Sequence, residues 1–296
     1  MPDILGMYAQ SQPDKPGVID DKPDGTVVAW TYAELEAQAN RVANLLLSLG
    51  TSPGKKVLWC GPNSPEVVAI MGAARKIGAI AVPLNYRLTP EEALYVINHS
   101  DAEVAYVDFE HAPMFAALRD RLEKVRHIIA VGGPDPGDVP AGMLTDADIA
   151  AAPAGEPDVG DAEGTGGTMI YTSGTTGKPK GAVRSGPPDP ELLGALLNLF
   201  SYRPDDVYIT SGPLYHSGPS AFNTSSQQAI GNSRPTYETQ TARGIRDVPQ
   251  SDKKVALRSY AENRPFLDEG KSQKSLNQQN APLTIDQVRE LLNKNK

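Results

Sequence analysis

Nine consecutive residues, Thr172-Ser-Gly-Thr-Thr-Gly-Lys-Pro-Lys180, combine four hydroxyls, two glycines and two lysines with almost no apolar content. Gly174 and Gly177 allow positive φ and let backbone N–H groups approach a ligand closely. Thr172, Ser173, Thr175 and Thr176 add hydroxyl donors, and Lys178 and Lys180 add charge. The ligand that suits this set is a polyphosphate. Gly/Ser/Thr clusters between strands are commonly plain turns, but the donor density here exceeds what a turn requires. The stretch also departs from the strand–loop–helix pattern G-x-x-x-x-G-K-[ST]. Gly174 and Gly177 are only three apart, and Lys178 is followed by Pro179. A proline biases the residue before it toward extended backbone, so Lys178 is not expected to open a helix. Apolar Met169-Ile-Tyr171 before the loop and Gly181-Ala-Val183 after it predict strand, loop, strand.

The segments that must carry this loop alternate between helix and strand. Thr31-Tyr-Ala-Glu34 is a capping box; Leu35, Ala39, Val42, Leu46 and Leu49 follow near helical spacing, and Gly50 supplies a stop. Ser64-Pro65-Glu66 opens another helix with proline in its first position, and Gly78 ends it. Thr89-Pro-Glu-Glu92 opens a third, with Leu94 and Ile97 inward, and residues 113–125 read as a fourth. Between them lie short apolar runs at 56–60, 79–82, 104–107 and 127–131. This alternation predicts an α/β fold, mainly parallel sheets covered by helices. The runs lack polar alternation, as expected of strands buried on both faces. Residues 132–167 read as surface loop, 191–200 as a short helix and 207–210 as a strand.

Composition narrows the class. The chain has 296 residues, 40% apolar and 22% charged, which suits a globular protein of one large or two ordinary domains. A single cysteine, Cys60, excludes an internal disulfide framework and reads as core packing. His99, His111 and His127 form no metal-ligand spacing with it, so no metal site is assigned. His99 ends a helix, where interaction with the helix dipole accounts for it. A net charge of −8 disfavours nucleic acid as a partner. With no secretory pattern and no apolar run of about 18 residues, no membrane span is expected and the cytoplasm is the default location.

Tyr171-Thr-Ser-Gly-Thr-Thr-Gly-Lys-Pro-Lys-Gly181 resembles the phosphate loop of the acyl-adenylate-forming (AMP-binding) enzymes, which include acyl-CoA synthetases, luciferases and the adenylation domains of peptide synthetases. Trp30-Thr-Tyr-Ala-Glu-Leu35, Gly78-Ala-Ile-Ala-Val-Pro-Leu-Asn85 and Gly212-Pro-Leu-Tyr-His-Ser-Gly-Pro219 extend the resemblance over roughly residues 1–223. It implies the N-terminal part of the adenylate-forming fold. It also implies that Thr172, Ser173, Gly174, Thr175, Thr176, Gly177, Lys178 and Lys180 hold ATP phosphates while a carboxylic acid attacks the α-phosphate. By the same resemblance, Thr175 and Thr176 are the nearest hydroxyl contacts, and the two lysines act in closing the loop. Tyr215 and His216 fall in the acid-pocket segment, with His216 on the substrate side. Mg²⁺ and the co-substrate CoA are implied with ATP, and the Pro-Leu-Tyr-His-Ser-Gly-Pro segment favours an acid–CoA ligase of fatty or related acids.

The last quarter of the chain departs from that pattern. Residues 224–296 hold 20 apolar residues in 73 and carry 12 lysines and arginines against 8 aspartates and glutamates, a composition too polar for an independent core. One helix is expected at 284–294, from the capping box Thr284-Ile-Asp-Gln287 and the stripe Ile285, Val288, Leu291 and Leu292. The family's aromatic-Gly-Thr-Glu segment for adenine and Mg²⁺, its Arg-Thr-Gly-Asp-type ribose segment and its catalytic lysine have no counterpart here. No catalytic residue is therefore assignable. The expectation is a truncated AMP-binding N-terminal domain at 1–223 joined to an unrelated or degenerate tail at 224–296, inactive alone. A separate chain would then supply the missing half. The alternative is a non-catalytic relic or nucleotide-binding protein that acts through its tail.

Overall fold

Local signals place the first elements. Asp3 accepts from the Gly6 N–H at 2.9 Å and caps α1 (Ile4–Ser11). A hairpin of β1 (Pro16–Asp21) and β2 (Val27–Thr31) follows; neither it nor α1 is apparent in the sequence patterns. α2 (Tyr32–Ser48) starts at the expected capping box: Thr31 Oγ1 accepts from the Glu34 N–H at 3.2 Å and Glu34 Oε2 accepts from the Thr31 N–H at 2.8 Å. Gly50, at φ 85°, lets the chain leave the helix in the left-handed region. After β3 (Lys56–Cys60), Ser64 caps α3 (Pro65–Lys76), and Gly78 at φ 64° turns the chain into β4 (Ile80–Leu84). A second capping box, Thr89 with Glu92, starts α4 (Pro90–Ser100). The computed structural model describes residues 3–22, 24–133, 135–160, 166–172, 178–185, 207–210, 212–230 and 233–235. All of them lie in one unit, Met1–Thr241. Ser173, Gly174, Thr175, Thr176 and Gly177 lie outside the described residues, as do the helices read at 191–200 and 284–294.

β5 (Val104–Asp108) is followed by a helix much shorter than the 113–125 pattern suggests. α5 spans only Ala112–Leu118, between single 3-10 turns. The reason is tertiary. Asn98 of α4 donates to Arg121 O at 3.0 Å and accepts from the Glu123 N–H at 3.1 Å, taking backbone groups that a longer helix would pair internally. β6 (His127–Val131), α6 (Asp146–Ala151), β7 (Gly167–Thr172) and β8 (Lys180–Ser185) come next.

Among the described residues, six strands form one sheet in the order β6-β5-β3-β4-β7-β8, parallel except for β8. Side chains alternate between two buried layers. Val57 and Trp59 of β3 pack in one with Leu35, Leu46 and Ile70, while Leu58 and Cys60 pack in the other with Leu84, Ile97 and Phe115. Burial on both faces explains why these strands read as continuous apolar runs. Cys60 is a buried free thiol whose pKa is pushed up by burial and by the charge of Asp108, in keeping with a packing role.

Among the described residues a second sheet has four strands in the order β2-β1-β10-β9, where β9 (Tyr208–Thr210) and β10 (Ser233–Pro235) have α7 (Ser217–Ile230) between them in the chain. α7 runs without a break through residue 223, where the resemblance ends. β10 pairs with both β1 and β9.

β7 and β8 form the expected strand–loop–strand hairpin, with Thr172 opposite Lys180 and Gly167 opposite Ser185. Gly167 is the crowded point of this ladder. A Cβ there would lie 2.5 Å from Arg184 O and 3.2 Å from Ser185 Cα, so backbone would have to move. Gly167→Ala is expected to cost about 1–3 kcal/mol by overpacking. Urea unfolding of the variant checks this, and an unchanged midpoint would refute it.

Candidate functional site

β3 leads through α3 to β4 on one side, and β5 leads through α5 to β6 on the other. The carboxyl ends of β3 and β5 therefore flank a topological switch point, the place where open α/β sheets receive ligands. The loops there are closely packed, since a Cβ on Gly61 would meet the Asp108 Cβ at 2.7 Å. Beyond Gly61, Asn63 turns its buried amide toward the segment carrying Tyr215 and His216. Its Nδ2 donates to Gly212 O at 3.0 Å and its Oδ1 accepts from the Leu214 N–H at 2.8 Å. One side chain thus mimics a strand partner and pins residues 212–214 to the end of β3. His216 O accepts from the Ser220 N–H at 3.1 Å, which joins the segment to the start of α7.

Tyr215 is buried and forms part of an aromatic row. Its ring lies edge-on to Tyr86 at 5.6 Å, and Tyr86 lies edge-on to His111 at 5.2 Å. Tyr86 follows β4 and His111 follows β5, so the row crosses the carboxyl edge of the sheet. Arg87 places its guanidinium 5.7 Å from the Tyr86 ring centre. Burial raises the pKa of the Tyr215 hydroxyl, with Arg87 opposing the shift. His216 is exposed, with its ring 4.5 Å from that of Tyr215. Tyr215 and His216 are adjacent in the chain but differ in setting: the first is packed and the second faces solvent.

The loop stems emerge at the same edge. Thr172, Lys178 and Lys180 are all exposed there. Lys178 Nζ lies 5.2 Å from the centre of the Tyr95 ring, and the Tyr95 hydroxyl donates to Pro179 O at 3.3 Å. His99, expected to serve only the helix dipole, has a specific partner: its Nδ1 is 2.8 Å from the Tyr171 hydroxyl. Burial pushes the Tyr171 pKa well up, with the Tyr95 and Asp101 charges adding to it, so this hydroxyl stays protonated. Asn63, Tyr86 and Tyr95 carry no motif that marks them in the sequence.

Two lysines and a hydroxyl, exposed beside a sheet's carboxyl edge, fit a polyanion such as the ATP phosphates. Among the described residues, no group of three or more His, Cys, Asp or Glu is arranged to hold a metal.

The helix-covered sheet with this hairpin at its carboxyl edge is the α/β architecture of the N-terminal domain of adenylate-forming enzymes. The profile of the AMP-binding enzyme family matches residues 7–223, and the chain belongs to that family. The 3-hydroxybenzoate–CoA ligase of Aromatoleum sp. (strain CIB) is 34% identical over 188 residues, covering 62% of this chain and 34% of that protein. The crotonobetaine/carnitine–CoA ligase of Salmonella enteritidis PT4 is 31% identical over 225 residues, covering 72% of this chain and 41% of that one. A solved structure from Rhodopseudomonas palustris CGA009, assigned as a long-chain-fatty-acid CoA ligase, superposes with a TM-score of 0.68 at 27% identity, over 83% of this chain and 59% of that one. The chain spans 34–41% of the length of these two curated relatives.

Proposed function

We propose that this chain is the phosphate- and acid-binding part of an ATP-dependent acid–CoA ligase. In that reaction a carboxylate oxygen attacks the α-phosphorus of ATP, the bond to the bridging oxygen breaks, and pyrophosphate leaves. The thiol of CoA then attacks the acyl carbon, loses its proton and displaces AMP. Residues 172–180 hold the ATP phosphates in this reading, with Lys178 and Lys180 opposing their charge. Tyr215 and His216 face the acid, which is a fatty or related carboxylic acid. The observation that carries the proposal is the shared edge: Asn63 holds the acid-side segment at the same carboxyl edge where the phosphate hairpin emerges. Among the described residues no helix is long and apolar enough to cross a membrane.

We further propose that residues 1–223 carry the family's elements and that 224–296 do not complete the reaction. That segment contains no adenine, ribose or catalytic-lysine motif, which equally favours a nucleotide-binding protein without turnover. A polypeptide of these 296 residues is expected to bind ATP measurably and to show no acid-dependent ATP–pyrophosphate exchange. Calorimetry and isotope exchange, with benzoate and fatty acids as substrates, check both halves. Exchange above a Thr176→Ala/Lys178→Ala control would refute the incomplete-enzyme reading, and no ATP binding would refute the phosphate assignment.

A further inference from the structure

The loop hairpin is poorly supported by its own sheet. Among the described residues, β8 pairs only with β7, and β7 pairs with β4 only at Gly167 and Thr168. The end of the hairpin nearest the loop, from Met169 to Thr172 and from Lys180 to Val183, runs past that ladder. Met169 is buried in the same core layer as Val82, Leu84 and Ile97, and beyond it the stems lie against one face of α4. Tyr95 and His99 are four apart and so lie on the same side of the helix, with ring centres 5.4 Å apart. His99 reaches the strand before the loop, through the 2.8 Å contact of Nδ1 with the Tyr171 hydroxyl and edge-on packing at 5.7 Å. Tyr95 reaches the chain after the loop, through its hydroxyl to Pro179 O and its ring under the Lys178 ammonium. Two neighbouring side chains therefore hold both stems.

We propose that Tyr95 and His99 are positioning residues that clamp the two stems of the phosphate hairpin to α4 and thereby set the loop for its anion. The clamp itself stands on the contacts above, and its role in anion binding rests on the phosphate reading. The clamp replaces the missing β4 ladder. It fixes the spacing of the stems at the point where the sheet no longer does, and it holds the Lys178 charge at the edge instead of leaving it free in solvent. Both residues sit outside the loop and need not touch the ligand.

Hydrogen exchange on the 296-residue chain tests the clamp without reference to activity. Loss of one hydrogen bond together with a cation–π contact is expected to raise exchange in peptides covering 169–183 by about tenfold in Tyr95→Leu. His99→Ala should behave similarly. Peptides from β3 and β5 and the thermal midpoint should stay unchanged. Tyr95→Phe, which keeps the ring and loses the hydroxyl, should give a smaller rise. His99→Asn, which places an amide near the position of Nδ1, should restore protection. Affinity for inorganic tripolyphosphate, measured in parallel, should fall by about tenfold in Tyr95→Leu and His99→Ala and recover in His99→Asn. Unchanged exchange in both of the severe variants overturns the clamp. A rise spread over the whole chain also overturns it, since that is general loss of packing. Faster hairpin exchange with unaltered tripolyphosphate affinity overturns the positioning role. A wild-type chain that binds no tripolyphosphate overturns the phosphate reading alone and leaves the clamp to the exchange data.

Discussion

Replacing Lys76 with methionine is expected to destabilise the domain by about 3 kcal/mol, near the lower end of the cost of breaking a buried ion pair from one side. The Lys76 side chain is fully buried at the end of α3. Its Nζ lies 2.8 Å from Glu36 Oε1, 3.1 Å from Asp3 Oδ1 and 3.2 Å from Glu156 Oε2. Glu36, 13% exposed, dominates the effect; Glu156, 51% exposed, is screened by water and adds little. The ammonium joins α1, α2 and the segment between α6 and the β7–β8 hairpin. That segment is also held by α2, where Arg41 donates to Ala152 O at 2.8 Å and Asn44 donates to Pro153 O at 2.8 Å. Lys76 therefore anchors part of the chain that leads into β7.

The pH dependence follows from the same geometry. Burial alone would lower the Lys76 pKa, but the hydrogen bond to Glu36 and the charges of Asp3 and Glu36 outweigh it and hold the value above the ordinary 10.5. A raised lysine pKa gives stability that is complete below the unfolded value and is lost as pH rises through the folded one. Burial also raises the Glu36 pKa, against the pull of Lys76. Without Lys76 that carboxyl rises further, so folding of the variant is penalised as pH rises through its titration. The deficit of Lys76→Met should therefore be largest near neutrality and narrow toward both acid and strongly alkaline pH. The double variant Lys76→Met/Glu36→Gln should recover much of the loss, because no buried charge is then left alone. Urea unfolding across pH checks all three outcomes, and a pH-independent deficit without recovery would refute the account.

Asn63→Leu is expected to produce the second large effect. The substitution leaves the Leu214 N–H without its side-chain acceptor and leaves Gly212 O to the Thr210 hydroxyl at 3.3 Å, and a buried group left unpaired costs about 1–3 kcal/mol. The loss should be local in its consequence. Residues 212–216 should detach from the end of β3, and Tyr215 should leave its edge-on contact with Tyr86. Urea unfolding reports the energy and near-ultraviolet circular dichroism reports the tyrosine environment. Asn63→Asp keeps an acceptor for the Leu214 N–H and loses the donor to Gly212 O, so it should fall between wild type and Asn63→Leu. A leucine variant with wild-type stability and tyrosine signal would show that α7 and Tyr215 hold the segment without Asn63.

Local chemistry made much of this protein legible. The boxes Thr31/Glu34 and Thr89/Glu92 and the Ser64 cap act within one helical turn, so the sequence carries both partners side by side. Pro179 acts on its immediate neighbour, and the hairpin that follows from it is the one observed. The length of α5 was not legible, because Asn98 in another helix takes the backbone groups at 121 and 123. The boundary at 223/224 follows from the polar composition beyond it and from where the resemblance stops; α7 spans it.

The sequence by itself determined the starts of α2, α3 and α4, the two-faced burial of the parallel strands, the hydroxyl- and lysine-rich loop between two strands, and the family. Each depends on residue type and near neighbours. Only the tertiary structure decided which groups hold the site. Asn63 meets Gly212 across 149 residues, Tyr95 meets Pro179 across 84 and His99 meets Tyr171 across 72. The physical reason is strand order. Parallel neighbours require crossovers, so the side chains that converge at the carboxyl edge come from distant segments, and their pairing exists only once β3, β4, β5 and β7 lie side by side.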